Sequence, residues 1–85
     1  MVIETTKSFD KQYAKVNLKV KISFKRRVTL FKANPFDTSL RNHALKGRYL
    51  GFRSIDITGD VHALYTTKGD TIIIFGFIGS HSQLY

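Results

Sequence analysis

The sequence predicts an α+β fold in the order β-α-α-β-β-β, with two N-terminal helices covering one face of a mostly antiparallel sheet. Three observations predict it. The first half holds two stretches whose apolar residues recur at spacings of three and four. The second half holds short β-prone runs separated by glycine–aspartate turns. The last of these runs, residues 71–78, is almost unbroken apolar and rich in β-branched and aromatic side chains. A strand with one wet face alternates apolar with polar, so this run reads as a strand covered on both faces. A buried helix has the same continuity, but the β-branched content and the flanking turn residues favour the strand.

In chain order, residues 2–6 form a β-prone opening. Ser8 is the expected cap of a helix whose apolar face is Phe9, Tyr13 and Val16. Asn17 is a break or a new cap. The stretch that follows is ambiguous. Val16, Leu18, Val20, Ile22 and Phe24 alternate as in a strand, while Val20, Phe24, Val28 and Phe31 form a helical stripe that runs on to Asn34-Pro35, where a helix must end. The stripe explains twice the length, so it predicts one helix over residues 18–33 with most of its lysines and arginines outward. Residues 34–39 have loop chemistry, and residues 40–47 show no clear period. Strands are expected at 52–57 and 61–66, and Lys68-Gly69-Asp70 is a hairpin turn into the final run.

The chain has 85 residues and no cysteine, which predicts one domain over residues 1–85, with a thin core and neither disulfides nor thiolate metal sites. The lack of a signal-peptide pattern and the short apolar run predict a soluble cytoplasmic protein with no membrane contact. The net charge is +8. It is lopsided, because residues 1–41 carry ten Lys or Arg against three acids and residues 42–85 carry four against three. Such a concentrated basic half predicts a polyanionic partner, nucleic acid or acidic protein.

The polar residues near the strand ends of the second half are His43, Lys46, Arg53, Asp56, Asp60, His62 and His81. Taken singly each has a bland reading: Asp60 as a turn residue, Asp56 as a partner for Arg53, His62 as a solvated histidine. His81 is the least bland, because it follows the buried run directly. No short ligand spacing such as His-x-x-x-His supports a metal, and no cofactor is expected. No phosphate loop and no Gly-x-Ser-x-Gly is present. Acid–base chemistry by His and Asp beside Lys and Arg remains, which is the equipment for cutting RNA at a ribose 2′-hydroxyl.

Three blocks, Asn34 to Gly47, Gly51 to Asp60 and Ile78 to Tyr85 with its Gly-Ser-His-Ser-x-Leu-Tyr ending, resemble the YafQ-like branch of the RelE/ParE toxin superfamily. The likeness spans essentially the whole chain and is weaker in the helices. It implies a RelE-like fold and a toxin of a toxin–antitoxin pair that cuts mRNA in the ribosomal A site. By position it implies that His43, Asp60 and His81 are catalytic and that Tyr85 stacks on or orients a base. His81 and Asp60 are the expected proton-transfer pair, with His43 as a second acid–base group or phosphate contact. Lys46 and Arg53 are expected to stabilise charge on the RNA. Asp56, a further expected catalytic residue, stands where the best-known YafQ-like enzyme has a histidine, and His62, an expected RNA contact, stands where many relatives have an arginine. Expected partners are the ribosome, mRNA, a cognate antitoxin with an acidic segment, and operator DNA for the toxin–antitoxin complex. A ParE-like gyrase-binding toxin and an inactive antitoxin-binding remnant are the alternatives.

The charge distribution carries a first prediction. Association with an acidic antitoxin segment should slow as salt rises, measured by stopped-flow mixing, because steering by an exposed basic face is screened. A salt-independent rate would show that the basic half does not face the partner.

Overall fold

A computed structural model describes all residues from Met1 to Tyr85. Its elements are β1 (Val2–Thr5), α1 (Lys7–Lys15), α2 (Leu18–Ala33), β2 (His43–Ala44), β3 (Arg53–Asp56), β4 (Val61–Lys68), β5 (Ile72–Ser80) and α3 (His81–Leu84), with 3-10 turns at Thr38–Leu40 and Gly47–Tyr49. The predicted α+β order is present, extended by the two-residue β2 and the one-turn α3.

Capping sets the helix boundaries. The Asn17 side chain accepts from Val20 N at 3.0 Å, which starts α2, and Asn34 N bonds back to Leu30 O just before Pro35. The stretch that alternates at its start is therefore helical. This turns Val20 and Phe31 inward and leaves Leu18 and Ile22 70 % and 44 % exposed. In α1 the cap is Thr6, not Ser8: Thr6 Oγ1 accepts from Phe9 N at 3.1 Å. The same hydroxyl donates to Gly76 O at 2.9 Å. Both residues are good caps; only Thr6 also ties the helix to the sheet.

The strand order is β1-β5-β4-β3-β2, with β1 parallel to β5 and every other pairing antiparallel. β5 is thus flanked on both sides, while the middle position belongs to β4. The register between them slips at Leu64/Tyr65, so that Leu64 opposes Phe77 and Tyr65 opposes Phe75, leaving Gly76 without a partner. A bulge inserts one residue and reverses the alternation beyond it. Phe75 and Phe77, two apart, consequently face opposite sides of the sheet.

Phe75 lies in the core beneath the helices, where its ring meets Phe9, Phe24, Phe31 and Tyr65 at centroid distances of 5.3–6.1 Å. Ile55, Ile57, Ala63, Ile73 and Ile78 complete that layer. Phe77 lies on the other face with Tyr49, Phe52, Leu64 and Leu84. Gly76 is required there by close approach, since a Cβ would sit 2.8 Å from Phe52 Cε2. The final run is therefore covered on both faces, by helices on one side and by the 45–52 segment with α3 on the other.

The asymmetry between Phe75 and Leu18 is testable by denaturant unfolding. Phe75→Ala should cost about 3–5 kcal/mol, because four neighbouring rings cannot collapse into the space. Leu18→Ala, on the exposed side of α2, should fall within about 0.5 kcal/mol of the parent.

Candidate active site

The sheet face away from α1 and α2 carries the histidines. On β3 the helix-facing residue is Ile55, so Ser54 and Asp56 point the other way; on β4, Ala63 and Tyr65 face the helices and His62 does not. Register then sets the neighbours: His43 opposes Ser54, and His62 opposes Asp56. Beyond β5 the first residue of α3 is His81. A depression of about 310 Å³ results, lined by His43, Leu45, Ser54, His62, His81 and Tyr85.

Two of the imidazoles are held through Nδ1. His62 Nδ1 lies 3.0 Å from Asp56 Oδ1, with both side chains about four-fifths buried. His43 Nδ1 lies 2.8 Å from Arg41 O. A carboxylate and a carbonyl only accept, so Nδ1 carries the hydrogen in both rings and Nε2 is left without a protein partner. Arg41 sits in the left-handed region (φ 50°), and its Nε approaches Asp56 Oδ2 at 3.7 Å. That guanidinium is exposed, which makes the pair weak.

His81 is exposed and placed by α3, whose single turn is pinned at both ends. At its start the Ser80 hydroxyl and the Gln83 side chain form a capping box with each other's backbone. At its end Leu84 O accepts from Tyr49 Oη and Arg48 Nη2, both at 2.7 Å. The ring of Tyr85 packs on His81 at 4.8 Å and meets Tyr49 edge-on at 5.5 Å. Partial burial, and then the neighbouring Tyr49, push the Tyr85 phenol up from its usual pKa, so it keeps its proton at neutral pH. A run of ring contacts thus joins Phe52, Phe77, Tyr49, Tyr85 and His81.

The remaining expected residues are dispersed. Lys46 is exposed beside Leu45 at the rim. Arg53 alternates onto the helix side, where its Nε donates to Asn42 Oδ1 at 2.7 Å. Asp60 lines a separate depression of about 580 Å³ with Gln12, Lys15 and Gln83, and has no ion pair with His81. The carboxylate that touches an imidazole is Asp56. Arg41, Ser54, Arg48 and Tyr49 were not singled out from sequence. For α3 a signal existed, since Ser80-x-x-Gln83 is a capping-box pattern. No three His, Asp or Glu side chains converge closely enough to hold a metal ion, and no helix is long and apolar enough to cross a membrane.

Comparison with known proteins places this chain among toxins. A family model described as "Bacterial toxin of type II toxin-antitoxin system, YafQ" matches residues 1–85. A copper-bound mutant toxin from Helicobacter pylori superposes with a TM-score of 0.74 at 32 % identity, covering 100 % of this chain and 99 % of that one. YafQ from Escherichia coli BL21(DE3) gives 0.79 at 23 % identity, covering 98 % and 96 %. YafQ in the E. coli DinJ–YafQ toxin–antitoxin complex gives 0.77 at 23 %, covering 98 % and 94 %. Among curated proteins no match is found.

The pinning of α3 predicts a local response. Ser80→Ala should cost about 0.5–2 kcal/mol. Amide hydrogen exchange should accelerate at Gln83 and Tyr85 while the strands stay protected. Unchanged exchange in α3 would show that Leu84 alone holds it.

Proposed function

This chain belongs to the YafQ family of type II toxin–antitoxin toxins, and on that premise we propose that it is a ribosome-dependent endoribonuclease acting on mRNA in the cytoplasm. The observation that carries the reading is the sharing of one open depression by three imidazoles, two with Nδ1 tied and Nε2 free. Cleavage needs a base for the ribose 2′-hydroxyl proton and an acid for the departing 5′-oxygen. The 2′-oxygen attacks the adjacent phosphorus, the bond from phosphorus to the 5′-oxygen breaks, and the leaving oxygen takes a proton. A 2′,3′-cyclic phosphate and a 5′-hydroxyl result, with no net change in protons or electrons.

In this scheme His62 and His81 exchange the protons, and Asp56 holds His62 in the tautomer a base requires and steadies it once protonated. His43 supplies a further imidazole to the phosphate, Lys46 adds charge at the rim, and Tyr85 offers a ring to a base. Asp60, expected from sequence as the partner of His81, is assigned no proton in this scheme. A cognate antitoxin with an acidic segment is the protein partner, in keeping with the DinJ–YafQ complex of E. coli.

A purified translation system with mapped mRNA ends tests the scheme. His81→Ala should lower cleavage roughly 10²–10⁴-fold without loss of folding, because the residue is exposed and its removal leaves no core cavity. Asp56→Asn should cost more activity than Asp60→Asn, since only Asp56 touches an imidazole of the cluster. Equal cleavage by His81→Ala and the parent, or a larger loss from Asp60→Asn, would overturn these assignments. Intact mRNA with the parent protein would remove the nuclease reading altogether.

A further inference from the structure

Phe36 is a large apolar residue left in water, 64 % exposed, on the loop between α2 and β2. It is not a loose side chain. Asn34 Oδ1 accepts from Phe36 N at 3.2 Å, and Asn42 Nδ2 donates to Pro35 O at 2.9 Å, so the peptide that carries the ring is held at both its nitrogen and its oxygen. The guanidinium of Arg53 lies over the ring, with Cζ 5.2 Å from the centroid. Asn42 holds that guanidinium too, accepting from Arg53 Nε at 2.7 Å while donating to the hydroxyl of buried Tyr65 at 2.7 Å. One amide therefore anchors loop, cation and core together. The terminal nitrogens of Arg53 have no protein acceptor and no carboxylate beside them.

We propose that Phe36 and Arg53 form a pre-organised platform for one unpaired nucleotide of the RNA substrate, its base stacked on the open side of Phe36 and its phosphate met by the free Arg53 nitrogens. The proposal rests on the nuclease reading above and extends it to the positioning of a flanking nucleotide. Topology supports the pairing of the two places. β2 is the outer strand of the sheet, and along it His43 opposes Ser54 while Ala44 opposes Arg53. Adjacent strand positions face opposite sides. The edge therefore presents the imidazole depression on one side and the platform on the other. A single strand crossing this edge meets both. Aromatic faces accept any base, so stacking supplies grip and register, and a cation locked over the ring restricts where the phosphate sits. An exposed aromatic is also a common protein-docking anchor; the unpaired cation in a chain of net charge +8 favours the polyanion.

The test uses the full-length protein in two assays. In the purified translation system Phe36→Ala and Phe36→Leu should each raise KM for programmed ribosomes roughly 5–100-fold, the worth of one base–aromatic stack, with kcat little changed. Phe36→Trp should restore KM and shift the distribution of cleavage sites, which a merely structural residue would not do. Thermal stability should be unaffected in all three. In the second assay a short single-stranded RNA carrying 2-aminopurine should be quenched more strongly by the parent than by Phe36→Ala, which keeps only the ring of Tyr85. Unchanged KM and cleavage sites in Phe36→Ala and Arg53→Gln would overturn the platform, as would loss of antitoxin affinity with RNA handling intact. Quenching by a parent protein that cuts no mRNA would instead retain the platform and remove the nuclease reading.

Discussion

The single unpaired residue in β5 is the constraint on which the rest of this structure depends. Gly76 slips the register against β4, and the slip points Phe75 toward the helices and Phe77 away from them. Without it, two large aromatic rings two positions apart would crowd one face and the other would lack its central side chain. With it, one strand seeds both hydrophobic layers. The bulge also resets the alternation that runs on through Gly79 to His81. Glycine suits it here, because any Cβ would meet the ring of Phe52 at 2.8 Å and force that ring to shift.

From that break the second layer builds outward to the chemistry. Phe77 contacts Phe52 and Tyr49, Tyr49 contacts Tyr85, and Tyr85 covers His81. The hydroxyl of Tyr49 and the guanidinium of Arg48 close the same path by holding Leu84 O. An exposed histidine on a single helical turn would ordinarily fray; this turn has its cap, its buried leucine and its last carbonyl all engaged. Rigid support of this kind is what a proton-transfer group needs.

Charge and chemistry occupy different sides of the molecule. Ten of the fourteen lysines and arginines lie in residues 1–41. Most of those belong to α1 and α2, which cover the face opposite the imidazoles. The histidine face has fewer cations, chiefly Arg41, Arg48 and Lys46 around its rim. A polyanion attracted to the helical layer and the RNA strand proposed for the histidine face therefore need not compete for the same charges. This separation suits a protein that the family pairs with an antitoxin.

The sequence by itself determined whatever depends on neighbours along the chain. Asn17 and Asn34-Pro35 bounded α2, its stripe at spacings of three and four overrode the alternation at its start, and continuous β-branched residues marked β5 as covered on both sides. Order, helix layer and sheet were legible for that reason, and so was the family. Tertiary structure decided what depends on register and facing. Ser8 and Thr6 are equal as local caps; the carbonyl of Gly76 chose Thr6. β2 has two residues, too few to show a period, and exists because β3 offers an edge to pair with. Asp56 and Asp60 are both plausible carboxylates in sequence, yet the β3–β4 register brings Asp56 to His62, whereas Asp60 falls beyond the last paired residue and lines a different depression. Arg53 is one position from Ser54 and so on the opposite face. Local preference acts over three or four residues, whereas the partner of each functional side chain is set by pairings between strands and by one bulge, which no short window of sequence contains.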